Sequence, residues 1–283
     1  MSSKGIRYAY RFLVAVCLLT GVDASAQYNE LGLLLGGSTY KGDLSPQLFK
    51  TYSNHPAAGI FFRHNWNRHW SWKVALNYGR VSADDADSDI PFNVDRNLSF
   101  RSNVFDITPL IEFNFLPYET GNRYYPFTPY LFTGITVFHF NPKAELGDDL
   151  YELQPLTTEG QKPYKRWQFA VPIGGGLKFT VGRIGLGIEM GVRRTYTDYL
   201  DDVSSVYPDA AGLLADKGAV AVALSDRSFS SRDTSNDITS SYLKLRGNSE
   251  DKDWYLFGGI TVYYRLSSLL KDICKPFKNR RYT

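Results

Sequence analysis

The sequence predicts an all-β fold: an eight-stranded antiparallel up-and-down transmembrane β-barrel with long extracellular loops. Three observations carry that prediction. Apolar and polar residues alternate with period two along several segments. The connections between those segments alternate between long and short. The N-terminus has the anatomy of an export signal.

The N-terminal segment comes first. Lys4, Arg7 and Arg11 form a basic region, Phe12 to Leu19 a short apolar run, and Ala24-Ser25-Ala26 a small-x-small cleavage site before Gln27. Residues 1–26 are therefore expected to be a signal peptide cleaved between Ala26 and Gln27, leaving a barrel over 27–266 and a basic tail over 267–283. The apolar run is shorter than the ~20 residues that a spanning helix needs. Cys17 follows Val16, where a lipoprotein signal wants a small residue.

Eight strands follow. Glu30 to Tyr40 and Ala57 to Asn65 alternate less decisively than the third, where Trp70, Trp72, Val74, Leu76 and Tyr78 share one face. In the fourth, Phe105, Ile107, Pro109, Ile111, Phe113 and Phe115 oppose Asp106, Thr108, Leu110, Glu112 and Asn114. The fifth, Tyr130 to Phe140, is apolar on both faces and leaves its orientation open. In the sixth, Trp167, Phe169, Val171, Ile173, Leu177 and Phe179 face away from Gln168, Ala170, Pro172, Gly174, Gly176 and Lys178. The seventh sets Ile184, Leu186, Ile188, Met190 and Val192 against Gly185, Gly187, Glu189, Gly191 and Arg193. The eighth sets Trp254, Leu256, Ile260, Val262, Tyr264 and Leu266 against Tyr255, Phe257, Gly259, Thr261, Tyr263 and Arg265.

A soluble β-sandwich also alternates, because one face packs on its core. Here the apolar faces carry bulky aromatics and end in Trp or Tyr, as interfacial girdles do. The opposite faces are small or charged, which suits a narrow lumen. The connections Lys41–Pro56, Ser82–Leu98, Asn141–Pro163 and Thr195–Asp251 are long, whereas Trp66–His69, Pro117–Thr128 and Gly182-Arg183 are short. Long loops then fall outside and short turns in the periplasm. Within the last loop, Asp209 to Leu224 is expected to form a helix started by Pro208, and Ser225 to Ser241 to be mobile.

Composition excludes other classes. Aromatic residues are 15% of the chain, with 20 Tyr and 18 Phe, while mean hydropathy is only −0.29. That pairing excludes a bundle of membrane helices. A net charge of +3 implies no nucleic-acid partner. Once the signal is removed, Cys274 is the one cysteine left, so no internal disulfide or cysteine zinc site is expected.

The lumen-facing charges are Lys73, Asp106, Glu112, Lys178, Glu189, Arg193 and Arg265. A barrel of eight strands has an interior that side chains fill, so these are expected to form an ion-pair network rather than a selective pore. The strand directions put Lys73, Glu112, Lys178 and Arg265 near the periplasmic end, with Glu112 among the cations, and Asp106 and Arg193 nearer the outside. Asp198, Asp201 and Asp202 have no standard calcium-loop spacing and are expected to be a solvated loop or turn-bonded carboxylates. His55, His64, His69 and His139 accompany no nucleophile-base-acid spacing, so no enzyme, cofactor or metal is predicted. Lys271, Lys275, Lys278, Arg280 and Arg281 form a candidate docking arm for an acidic periplasmic surface.

Several motifs occur in order: Tyr40-Lys41-Gly42-Asp43-Leu44, Thr128-Pro129-Tyr130-Leu131-Phe132-Thr133-Gly134-Ile135, Phe140-Asn141-Pro142-Lys143-Ala144, Thr195 to Ser204, and Arg246-Gly247-Asn248 before Asp253-Trp254-Tyr255. Through them the chain resembles the PorG-like outer-membrane β-barrel family. The resemblance covers essentially all of 27–283. It implies the Gram-negative outer membrane, contact with lipid and lipopolysaccharide, and a place in type IX protein secretion beside a periplasmic ring of lipoprotein and partner subunit. It implies no catalytic residue. A surface adhesion protein acting through the outer loops and a small-solute channel are the alternatives.

Overall fold

The computed structural model describes residues 28–46, 54–228 and 244–266. The signal segment with Ala26 and Gln27, the basic residues Lys271, Lys275, Lys278, Arg280 and Arg281, and Cys274 lie outside the described residues, as does most of Ser225 to Ser241.

The chain closes into a ring of eight staves, each antiparallel to its neighbours. They are β1 (Tyr28–Lys41), β2 (His55–Asn65), β3 (Trp70–Asp84), β4 (Ser99–Asn114), the pair β5 (Phe127–Gly134) and β6 (Thr136–His139), then β9 (Trp167–Val181), β10 (Ile184–Thr195) and β11 (Trp254–Arg265). β11 pairs with β1 through twelve register positions, from Glu30↔Arg265 to Lys41↔Trp254, so the sheet has no free edge there. The hairpin of β7 (Pro142–Leu146) and β8 (Asp149–Glu152) extends the wall beyond the ring, β7 pairing with β4.

Period two decides which side each residue faces. On β3, Ser71, Lys73, Ala75, Asn77 and Gly79 are buried inside, and Trp70, Trp72, Val74, Leu76 and Tyr78 face out. The fifth stave, expected as one strand, is broken at Ile135. It turns Thr128, Tyr130, Phe132, Thr136 and Phe138 inward and Leu131, Thr133, Ile135 and Val137 outward. Those inward rings have room because β9 faces them with glycine: a Cβ on Gly174 would lie 2.4 Å from the Phe132 ring, and one on Gly176 2.9 Å from the Tyr130 ring.

The two ends of the ring differ. At the turn end, Gly182 takes φ 62° in a two-residue hairpin, the conformation that the first position of a II′ turn requires. Asn67 Oδ1 accepts from the amides of His69 (2.8 Å) and Trp70 (2.9 Å), an Asx turn that closes β2 on β3. At the loop end the long connections are folded. The second loop holds α1 (Pro91–Arg96), and the third holds the β7–β8 hairpin. The single helix expected over Asp209 to Leu224 is two: α2 (Ala210–Lys217), capped by the Asp209 side chain, and α3 (Ala219–Ser225). Gly218 divides them at φ 84°, a conformation no helix continues through.

The outer wall is apolar. Leu31, Leu33, Leu35, Ile60, Ile173, Ile188 and Ile260 are each exposed. Aromatics mark its turn-end border, with Trp70 against Phe113 at 4.8 Å, Phe62 against Trp72 at 5.5 Å and Phe127 against Phe179 at 4.9 Å. Among the described residues no helix is long and apolar enough to cross a membrane.

Candidate functional site

Two polar regions fill the molecule, one inside the turn half of the ring and one under the loops. The first is built from inward positions of six staves. Glu112 on β4 meets Lys178 Nζ at 2.6 Å, Arg63 Nε at 2.8 Å and Lys73 Nζ at 3.1 Å. Arg63 also donates to Glu30 at 2.8 Å, and Lys73 to Glu189 at 2.6 Å. Three carboxylates thus meet three cations, and all six are buried. Neutral donors complete the shell: Ser71 Oγ to Glu112 at 3.1 Å, Tyr130 OH to Glu189 at 2.5 Å, and Thr120 Oγ1 to Glu30. Arg63 lies over the rings of Tyr263 (4.8 Å) and Phe61 (4.9 Å). Such burial is tolerable because each charge is paired and hydrogen-bonded.

Of the seven charges singled out in sequence, four lie here or beside it: Lys73, Glu112, Lys178 and Glu189. Asp106 and Arg193 form a separate pair nearer the loop end, with Arg193 Nε 3.3 Å from Asp106 Oδ2. Asp106 accepts from Asn77 Nδ2 (2.7 Å), Thr108 Oγ1 (3.2 Å) and Tyr255 OH (3.3 Å). Arg265 is the exception. It does not reach Glu112; it sits at the turn-end rim, 3.1 Å from Glu119 and stacked 4.2 Å over Tyr28. The reason is the turn Phe115 to Pro126, which folds back under the ring. Its Tyr118 is buried, 2.8 Å from the Tyr263 hydroxyl, and its Thr120 backbone carbonyl accepts from Arg265 at 2.8 Å. Sequence reading omitted Glu30 and Arg63. The alternation of Glu30 against Leu31, Leu33 and Leu35 was the available signal.

The second region is a cap. Asp198, Asp201 and Asp202, expected to be solvated or turn-bonded, are not solvated but buried at 4%, 1% and 0% exposure, and Asp201 Oδ1 makes a turn bond by accepting from the Val203 amide at 2.9 Å. Two buried arginines brace the loops around them. Arg246 Nη1 donates to the Asp202 carbonyl (2.6 Å) and Glu159 (3.0 Å), and its Nε to the Ser225 carbonyl (3.0 Å). Arg96 holds Asp85 bidentately at 2.7 and 2.8 Å, and donates to the carbonyls of Arg246 (2.6 Å) and Asp43 (3.0 Å). Residues of all four loops are therefore joined through two guanidinium forks. Apolar packing of Tyr40, Leu44, Leu98, Phe140, Leu153, Leu200, Val203 and Leu224 continues the brace.

The cap carboxylates are held mainly by neutral donors. Asp202 accepts from Thr158 Oγ1 (2.5 Å) and Tyr164 OH (2.7 Å), Asp198 from Ser204 Oγ (2.7 Å), and Asp43 from the Asn248 amide (3.0 Å). Tyr40 OH bridges Asp201 and Asp253. Burial pushes Asp43, Asp198 and Asp202 up to about 6. Burial and then neighbouring carboxylates hold Asp201 and Asp253 well above the ordinary range. Asn97, Thr157 and Asp202 are the non-glycine residues at positive φ among those described, and all three lie in the cap loops. Among the described residues no group of three or more His, Cys, Asp or Glu is arranged to hold a metal ion. His139 stands on the outer wall, 5.2 Å from the Trp167 ring.

Solved structures similar to this chain are small barrels. The attachment invasion locus protein Ail of Yersinia pestis, solved with the heparin analogue sucrose octasulfate, is 10% identical. It covers 85% of this chain and 99% of its own at a TM-score of 0.40. Neisserial surface protein A is 8% identical over 86% and 98% at 0.40. The N-terminal β-barrel domain of Pseudomonas aeruginosa OprF is 11% identical over 85% and 99% at 0.34. No curated protein matches the chain. One family model does match, over residues 9–212, and the chain belongs to that family, Domain of unknown function DUF6089.

Proposed function

We propose that this protein is a non-enzymatic barrel of the Gram-negative outer membrane that works as a rigid anchor. We further propose that it is a structural component of the type IX secretion system, contacting a periplasmic lipoprotein ring and its partner subunit. The observation that carries the anchor reading is the filled lumen. Glu30, Arg63, Lys73, Glu112, Lys178 and Glu189 occupy it with balanced charge, and Tyr118 closes it below. A solute path would have to break buried ion pairs, so the interior argues against the channel. The apolar outer wall, exposed and bordered by aromatics, fits lipid rather than water.

The secretion reading rests on the resemblance of the ordered motifs to the PorG-like family. On this reading the turn end faces the periplasm, and Lys271, Lys275, Lys278, Arg280 and Arg281 form an arm for an acidic surface of the ring. Crosslinking a tagged chain in native outer membranes tests it. Recovery of a periplasmic lipoprotein ring is expected. Recovery of lipid and lipopolysaccharide alone sinks the secretion role and leaves the barrel.

A surface-binding reading has its own support, because the braced cap presents a head of fixed shape. Arg246→Ala, which unties the cap and spares the ring, separates the two readings. Lost surface binding with secretion intact favours the second.

A further inference from the structure

We propose that the outer wall carries a binding groove for the phosphate groups of an anionic glycolipid in the outer leaflet, formed by Arg80, Arg101 and Lys143. The proposal rests on the outer-membrane reading above and specifies what the loop-end rim would touch there.

The residues on the outward face of neighbouring staves fall into levels. Leu76, Ile107 and Val137 stand level and apolar. One step higher, Tyr78, Phe105 and His139 form an aromatic row. Above that row Arg80 faces Asn103, and then Arg101 stands between Ser82 and Lys143. Each two-residue step rises ~6.6 Å along a strand. The polar headgroup layer is roughly 5–8 Å deep on each side of the hydrocarbon. Arg80 therefore lies within the depth where phosphates lie, just beyond an aromatic row of the kind that marks the hydrocarbon border, and Arg101 and Lys143 stand one step above it.

Cross-strand geometry gathers them. Arg101 and Lys143 are directly opposed, and Arg80 is diagonal to Arg101, separations of roughly 5 and 7–8 Å. They line one groove of about 270 Å³ together with His55 and Ser82. Two guanidinium forks and an ammonium within that span suit a phosphate monoester and its neighbouring acceptors.

The present partners of these cations are ones that a phosphate can displace. Arg80 donates to neutral Asn103 at 3.2 Å. Arg101 meets Glu145 at 2.9 Å and Lys143 meets Glu152 at 3.1 Å, with every side chain of both pairs at least 35% exposed. Exposed pairs of this kind contribute ~0–1 kcal/mol. The rim acids Asp84 and Asp87 line the upper side of the groove, beyond Ser82 and farther from the aromatic row. Like-charge crowding of Arg101 against Lys143 also makes an anion between them favourable.

The test uses the full chain folded in phosphatidylethanolamine vesicles doped with bisphosphorylated lipid A or with its dephosphorylated form. Co-purified lipid A is quantified. Wild type is expected to retain the phosphorylated form at least ~10-fold better. The triple variant Arg80→Gln/Arg101→Gln/Lys143→Gln loses that preference, and the charge-matched Lys41→Gln/Arg194→Gln/Lys252→Gln keeps it. Glu145→Gln, which frees Arg101, raises retention two- to three-fold and does not depend on the triple variant folding. Equal retention of the two lipids by wild type, or equal loss in both triple variants, overturns the groove while the membrane barrel stands. Failure of wild type to fold into vesicles at all overturns both.

Discussion

The lumen lattice and the loop cap are both buried and rich in carboxylates, yet they are held in different ways. In the lattice, Glu30, Glu112 and Glu189 face Arg63, Lys73 and Lys178, so charge is matched inside the region. In the cap, Asp43, Asp85, Asp198, Asp201, Asp202, Asp253 and Glu159 share two buried cations, Arg96 and Arg246. Hydroxyls and backbone amides make up the difference there. The lesson is that a closed ring fixes which charges meet, whereas loops can gather like charges and hold them through donors that carry none. The lattice should therefore govern the stability of the whole barrel, and the cap should respond locally and to pH.

The sharpest way to break this comparison is at Glu112, which touches three cations. Glu112→Ala leaves them buried and underpaired, at a cost of about 3–5 kcal/mol. Urea unfolding of the vesicle-folded protein should show it as a global loss. Unchanged unfolding would mean that the lattice is filler.

Arg246→Ala should cost the cap about 2–4 kcal/mol, because it strands Glu159 and the backbone carbonyls of Asp202 and Ser225. Protease cleavage of the loops should rise steeply, with the ring's unfolding midpoint unmoved. Arg246→Lys should rescue little, since an ammonium cannot span the same fork.

Acidity sharpens the contrast further. Asp43, Asp198 and Asp202 titrate near 6 in the folded cap and near 4 when unfolded. The folded cap then binds more protons between those values. The stability these three groups contribute is fully present below about 4 and is lost as pH rises through about 6. Amide exchange at Leu200 and Val203 should slow as pH falls from 7.5 to 5, after correction for intrinsic rates. Asp202→Asn should flatten part of that dependence.

The smallest effect expected is at Gly218. Its φ of 84° favours glycine, so Gly218→Ala should cost roughly 1 kcal/mol. Faster exchange should be confined to α2 and α3.

The sequence by itself determined the eight staves, the inward and outward faces of the third, fourth, sixth, seventh and eighth, and the long-short rhythm of the connections. The reason is that a strand's period is two, so facing follows from position in the chain alone. It also marked Lys73, Glu112, Lys178 and Glu189 as inward charges. Tertiary structure alone decided which of them meet. Arg265 faces inward, but a turn that folds under the ring supplies Glu119 and takes it out of Glu112's reach. Glu30 and Arg63 sat in strands whose alternation was weak, and the inward rings of the fifth stave were hidden by its two apolar faces. The cap was the least legible region. Its brace joins Arg96, Asp43, Glu159, Asp202, Ser225 and Arg246 from four loops, and no local pattern records a contact between residues 150 positions apart, such as Arg96 and Arg246. Ring closure brings the loops to one end, and only there do the two guanidinium forks find their acceptors.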